Sequence, residues 1–227
     1  MEHKTYSVLI VDDHPLITEA YKSAFNYYSD QNDFILFSIK TAESCDDAFK
    51  LINDYFTKKN DLDIVFLDIK LPPSKDGKIL SGEDLGLRIN KLLPDTKIII
   101  STTLNDNYRV HSIFKSLDPD GFLIKNDITP KDLVEAIDTV INDPPHYSKT
   151  VVKLLRKQVT NDFLLDNIDR KILYELSIGT KMKDLPSILP LSIAGIEKRK
   201  RHLKHIFNIK SPDDKELLLK AKEKGFI

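Results

Sequence analysis

The sequence predicts a doubly wound α/β domain with a five-stranded parallel sheet, followed by a small all-α domain. Three observations carry that expectation. Five short runs are continuously apolar rather than alternating, as strands buried on both faces are. The segments between them repeat their apolar residues with helical spacing. Beyond residue 143 the strand-like runs stop, the pattern becomes all helical, and the charge changes sign. Residues 1–143 hold 16 Lys and Arg against 25 Asp and Glu, whereas residues 144–227 hold 18 against 10. An acidic front and a basic back suggest two modules with different partners, nucleic acid being a natural one for the second.

The elements follow in order. Strands are expected at Val8–Val11, Asp33–Ile39, Asp63–Asp68, Lys97–Thr102 and Gly121–Lys125. Helices are expected at Pro15–Tyr28, Ser44–Phe56, Gly82–Leu93, Asp106–Leu117 and Thr129–Ile141, the last opened by Thr129 as cap and Pro130 at the first helical position. Five strand–helix units in about 140 residues call for a parallel, doubly wound sheet. A new regime starts at Pro144-Pro145, where Ser148 is placed to cap a linker helix carrying Val151, Val152, Leu154 and Leu155. The expected division is thus 1–143 for the α/β domain, 144–162 for the linker and 163–227 for the helical domain. In the last part, Ile168–Ile178 closes on Gly179, "KMKDLPSIL" reads as a short second helix, and Ser192 caps a helix from Ile193 to Phe207. A final helix opens on Ser211 and Pro212 and stops at Gly225.

Other classes are set aside on composition. The single cysteine, Cys45, allows no internal disulfide and no cysteine metal cluster, so a reducing, cytoplasmic setting is expected. "MEHKTYSVLIVDD" is too short in its apolar run and too acidic for a signal peptide, and no run approaches the roughly 20 apolar residues of a membrane span.

Open α/β sheets bind ligands beyond the carboxyl ends of their strands. There the sequence places Asp12 and Asp13, then Asp68, then Ser101-Thr102-Thr103, then Lys125. Taken singly, a strand-end aspartate is ordinarily a cap and a strand-end lysine ordinarily a solvated surface group. Together, three carboxylates repel unless a cation sits among them, and hard oxygen donors suit Mg2+. A lysine and a hydroxyl opposite them would receive the oxygens of a phosphoryl group, with one carboxylate as nucleophile.

"VLIVDDHP", "IVFLDIKLP", "KIIISTT" and "DGFLIKND" resemble the motifs of bacterial response-regulator receiver domains, over residues 5–141. The resemblance implies a flavodoxin-like receiver in which Asp68 accepts a phosphoryl group from a sensor histidine kinase. It implies that Asp12, Asp13, Asp68 and the Lys70 backbone carbonyl hold Mg2+. It makes Thr102 the switch hydroxyl, Lys125 the phosphate-pairing lysine and Phe122 the aromatic that changes rotamer. Two features depart from the pattern: the nine residues "PSKDGKILS" between Pro72 and Gly82, about six more than is usual, and Thr103 where a smaller residue is usual. The longer loop is expected to be a tolerated surface insertion. A rival is the haloacid-dehalogenase-like phosphatase, whose motif has a second aspartate two residues after the nucleophile. Here that position is Lys70, which removes the acid/base and argues against a turnover enzyme.

Residues 165–227 resemble the four-helix output domain of NarL/LuxR-type regulators. That resemblance implies a helix-turn-helix on double-stranded DNA, with Glu197, Lys198 and Arg201 toward base edges. Lys200, Lys204, Arg199 and His205 would meet phosphates. Pro186 in the scaffold helix, Gly195, and the acidic Glu197 depart from it, and leave open an alternative: a phosphorylation-switched adaptor whose degenerate helix-turn-helix domain binds protein. Homodimerisation on phosphorylation or DNA binding is expected, with Leu217, Leu218 and Leu219 of the last helix as a candidate contact that equally suits packing within its own domain.

Overall fold

A computed structural model describes residues 3–104, 106–156 and 165–227. The chain divides into two compact units, residues 1–157 and 158–227.

The first unit is built on a parallel sheet. Its strands are β1 (Lys4–Val11), β2 (Ile35–Ala42), β3 (Ile64–Leu67), β4 (Lys97–Thr102), β5 (Gly121–Ile124) and β6 (His146–Tyr147), in the order β2-β1-β3-β4-β5-β6. The expected five strands are therefore six. The sixth comes from the segment read as linker: Tyr147 lies opposite Phe122, and the Ser148 amide donates to the Phe122 carbonyl at 2.9 Å. Two residues give no apolar run long enough to read as a strand, which is why the sequence hides it. The second strand also differs from expectation. It lies at the sheet edge and alternates exposed with half-buried residues, so its apolar run does not mark burial on both faces.

Helices α1 (Pro15–Gln31), α2 (Cys45–Lys58), α3 (Gly82–Leu92), α4 (Asn107–Leu117) and α5 (Pro130–Asn142) follow β1 to β5 in turn, and α6 (Lys149–Arg156) follows β6. Side chains alternate across a strand, so each strand feeds both layers. Val8, Ile10, Phe66, Ile99 and Leu123 pack with Phe25 and Tyr28 of α1 and Leu133 and Ile137 of α5. Leu9, Val11, Leu67, Ile100, Phe122 and Ile124 pack with Ile52, Leu85, Val110 and Ile113 of α2 to α4, and with Val151 and Leu154 of α6. Thus α6 completes the second layer of the first unit. Residues 157–162, the remainder of the expected linker, lie outside the described residues.

Local chemistry fixes the helix ends. Ser44, Ser81, Asp106 and Thr129 each accept an amide hydrogen bond as N-caps, and Thr129 with Asp132 closes a full capping box. Lys97 Nζ donates to the carbonyls of Val140 and Ile141, near the C-terminus of α5, at 2.6 and 3.2 Å.

The second unit contains α7 (Asn167–Ser177), a single 3-10 turn (Leu185–Ser187), α8 (Ile193–Ile206) and α9 (Asp214–Glu223). Its interior is formed by Ile172, Leu173, Leu185, Ile196, Leu203, Leu217 and Ala221. The short second helix expected from "KMKDLPSIL" is one 3-10 turn with Pro186 near its start, so the proline breaks no α-helical hydrogen bond. The last helix starts two residues later than expected: Asp213, not Ser211, caps it. Leu217 is fully buried in its own unit and Leu219 is exposed.

Candidate phosphoacceptor site and basic helix

Register brings the site together. Val11 lies opposite Leu67 and Thr102 opposite Ile124, so Asp12, Asp68, Thr102 and Lys125 sit at or one residue past four adjacent strand ends. The Asp68 amide donates to the Val11 carbonyl at 2.9 Å, fixing Asp68 beside β1. Lys125 Nζ stands 2.6 Å from Asp12 Oδ2 and 2.6 Å from Asp68 Oδ2. All three side chains are buried, at 6%, 1% and 3% exposure. Such a cluster is costly unless its charges are paired, and the lysine pairs both. Asp68 Oδ1 accepts from the Lys70 amide at 2.8 Å. Burial pushes the Asp68 carboxyl above the usual carboxylate range, against the pull of Lys125 and the Lys70 amide.

Asp12, Asp13, His14 and Asp68 each offer a ligand atom, and these atoms lie within 4.8 Å of one another. His14 was not singled out in the sequence; its Nδ1 lies 2.7 Å from Asp13 Oδ1 and 3.3 Å from Asp12 Oδ1. Three oxygen-donor side chains around a half-open rim fit a small hard cation. The Lys70 main chain reaches Asp68 through its amide.

Thr102 and Phe122 occupy the same rim and the core beneath it. Thr102 is fully buried, and its Oγ1 accepts from the Leu104 amide at 3.3 Å. Phe122 is fully buried, stacked on Phe114 with centroids 5.2 Å apart. Phe114 in turn meets Tyr147 of β6 edge-on at 4.9 Å. Below the rim, Tyr21 of α1 and Ser101 of β4 share a 2.5 Å hydrogen bond, and burial pushes the tyrosine well above its ordinary range.

Sequence reasoning also missed a buried ion pair. Glu83 at the start of α3 holds Arg109 of α4, and Ser116 Oγ donates to Glu83 Oε1 at 2.8 Å. Neither charge carries a motif, so only the fold reveals the pairing. Gly82, the residue before, is required by close approach: a Cβ there would come within 1.9 Å of the Asp68 carbonyl oxygen.

The lengthened nine-residue loop is folded. Ser74 is buried, its Oγ donates to Asp76 Oδ1 at 2.8 Å and accepts from the Ile79 amide at 3.0 Å. Gly77 takes φ 65°, and the Lys75 amide donates to Asp46 Oδ2 of α2 at 3.1 Å.

In the second unit, Glu197, Lys198, Arg201 and His205 are exposed on one face of α8, opposite the buried Ile196 and Leu203. The other three expected contacts are engaged within the unit. Arg199 Nη1 stands 2.7 Å from Asp166 and 2.9 Å from Asp169. Lys200 and Lys204 each reach Asp214 at 2.8 Å.

A rim of aspartates facing a lysine across the strand ends of a doubly wound sheet defines a receiver. The sequence model of the response regulator receiver domain matches residues 8–138, and the chain belongs to that family. Along most of its length the chain is similar to the oxygen regulatory protein NreC of Staphylococcus epidermidis, at 24% identity over 95% of this chain and 97% of that one. It is also similar to the nitrate/nitrite response regulator protein NarP of Escherichia coli, at 27% identity over 92% of each. Among solved structures, RcsB from Salmonella enterica serovar Typhimurium, bound to promoter rprA in the presence of the phosphomimetic BeF3-, has the same fold. The TM-score is 0.64 at 22% identity, covering 96% of this chain and 99% of that one. Among the described residues, no helix is long and apolar enough to cross a membrane.

Proposed function

We propose that this chain is the response regulator of a two-component phosphorelay, phosphorylated on Asp68 by a sensor histidine kinase to control DNA binding and transcription. The observation that carries the reading is the single lysine, Lys125, bridging Asp12 and Asp68. An Asp68 oxygen attacks the phosphorus of the kinase's phosphohistidine; the new O–P bond forms as the P–N bond breaks, and the histidine leaves with the electron pair. Asp12, Asp13, Asp68 and the Lys70 carbonyl would hold Mg2+, which offsets the charge of the incoming phosphoryl group.

This chain's own residues turn that anion into a signal. Lys125 is already on the Asp68 oxygen and stays with the phosphoryl group as its counter-ion. Thr102 turns its hydroxyl toward the new oxygens, and the space it vacates is taken by Phe122. Phe122 is held by Phe114, and Tyr147 packs on Phe114, so β6 and α6 feel the rotamer. The result is a population shift set by the difference in contacts between the two states. No chemistry beyond acquiring and losing its own phosphoryl group is assigned to the site.

The second unit is assigned to double-stranded DNA through α8, acting as a homodimer in the cytoplasm. The proposed division is residues 1–143 for the receiver, 144–162 for a linker with a helix and 163–227 for the helix-turn-helix domain, beside compact units of 1–157 and 158–227. The exposed stripe of Lys198, Arg201 and His205 supports DNA over the adaptor alternative, as does the accommodation of Pro186 in a 3-10 turn. Incubation with acetyl phosphate and Mg2+, followed by intact-mass measurement, tests the acceptor. One phosphoryl adduct on the wild type and none on Asp68→Asn is expected. An adduct that survives Asp68→Asn refutes the assignment.

A further inference from the structure

Helix α8 presents five Lys and Arg residues, Lys198, Arg199, Lys200, Arg201 and Lys204. Their surroundings differ. Among the described residues, Lys198 and Arg201 pair with no acid, and both are exposed. Lys200 and Lys204, one turn apart, bend the same way and converge on one carboxylate. Lys200 Nζ lies 2.8 Å from Asp214 Oδ2, and Lys204 Nζ lies 2.8 Å from Asp214 Oδ1. Lys204 Nζ also donates to the Pro212 carbonyl at 2.6 Å. The two lysine side chains are only 19% and 13% exposed, so this is a fixed seat rather than a chance meeting of surface chains.

Two ammonium groups on the two oxygens of one anion is also how lysines grip a phosphate. We propose that Asp214 is an internal counter-anion that fills the place of a DNA phosphate between Lys200 and Lys204, and thereby limits the sequence-independent affinity of this domain. The inference rests on the DNA-binding reading above and deepens it. Burial works to raise the Asp214 carboxyl, yet the Lys200 and Lys204 ammonium groups hold it below the usual range, so it stays ionised wherever DNA binding would be measured.

The consequence for specificity is direct. Sequence-independent binding comes from cations that neutralise phosphates and release counterions, whereas base contacts carry discrimination. A helix whose flanking lysines are discharged from within keeps its base-facing Lys198 and Arg201 and loses part of its indiscriminate pull. Asp214 then acts on selectivity without touching a base.

The test uses the full chain and a random-sequence DNA duplex, with binding measured by fluorescence anisotropy from about 50 to 200 mM KCl. Asp214→Asn removes the charge and keeps Asp213, the N-cap of α9. The variant is expected to bind roughly five- to tenfold tighter at the lower salt, with the slope of log K against log salt steeper by about 0.9. Adding Lys200→Ala and Lys204→Ala to Asp214→Asn is expected to erase the gain. Thermal melting by circular dichroism verifies the fold, and Asp214→Ser serves in place of Asn if the amide disturbs the helix start. If the wild type binds and a folded variant matches it in affinity and slope, the inference is overturned and the DNA reading stands. If neither protein binds the duplex at the lowest salt, both are overturned.

Discussion

Lys125 serves two carboxylates with one ammonium group. It is the counter-ion that makes two buried carboxylates tolerable, and in the proposed mechanism it becomes the partner of the new anion. Lys125→Met should therefore strand Asp12 and Asp68 without a cation, at a cost of about 3 kcal/mol. Thermal unfolding is the measurement, and Mg2+ should raise the variant's midpoint more than the wild type's. An equal Mg2+ response in both would contradict this account of the pair. Cys45 offers a second check at this scale. It is buried among core residues, and burial, with nearby Asp84, Asp46 and Asp13, pushes its thiol up to about 12. At pH 8 it is a thiol rather than a thiolate, so Ellman's reagent should label one cysteine in guanidinium and none in the native protein. At the residue scale the sequence was informative wherever a side chain stood at a strand end. Asp12, Asp68, Thr102 and Lys125 were legible because topology dictates that strand ends meet. Glu83 and Arg109 were not, because a charge inside an amphipathic helix looks the same whether it meets water or a buried partner.

Among the elements, the loop after Pro72 and the segment read as a linker are both built into the first unit. The loop from Ser74 to Ile79 has its own hydrogen bonds and ends at Gly82, which presses on the Asp68 backbone. Gly82→Ala should push the acceptor out of place, costing about 1–3 kcal/mol by overpacking. It should also slow acetyl phosphate labelling, read by the rate of adduct formation in intact-mass spectra. A labelling rate equal to the wild type's would mean that the backbone relaxes around the methyl group without moving Asp68. The other segment is β6 with α6. A two-residue strand carries too little periodicity to be assigned from sequence; the helix after Ser148 is expected, but the preceding prolines read as a domain boundary and place it in a linker. Val151 and Leu154 are nonetheless core residues of the first unit. Leu154→Ala should cost about 2–4 kcal/mol in urea unfolding followed through the first unit. A loss below about 0.5 kcal/mol, the usual size for a surface change, would return the helix to the status of a linker.

For the whole molecule, the change of charge sign near residue 143 suggested two modules, but it hid how the basic charges are spent. Composition counts a lysine the same whether it faces water or Asp214. What links the halves functionally is the claim that a phosphoryl group on Asp68 controls DNA binding by α8. The most direct measurement is genome-fragment capture, sequenced and quantified, by three proteins: phosphorylated wild type, unphosphorylated wild type, and Asp68→Asn after the same treatment. The account predicts a common set of sites enriched by the phosphorylated protein and depleted for the other two. Equal recovery by all three, or recovery of no sites by any, would contradict it.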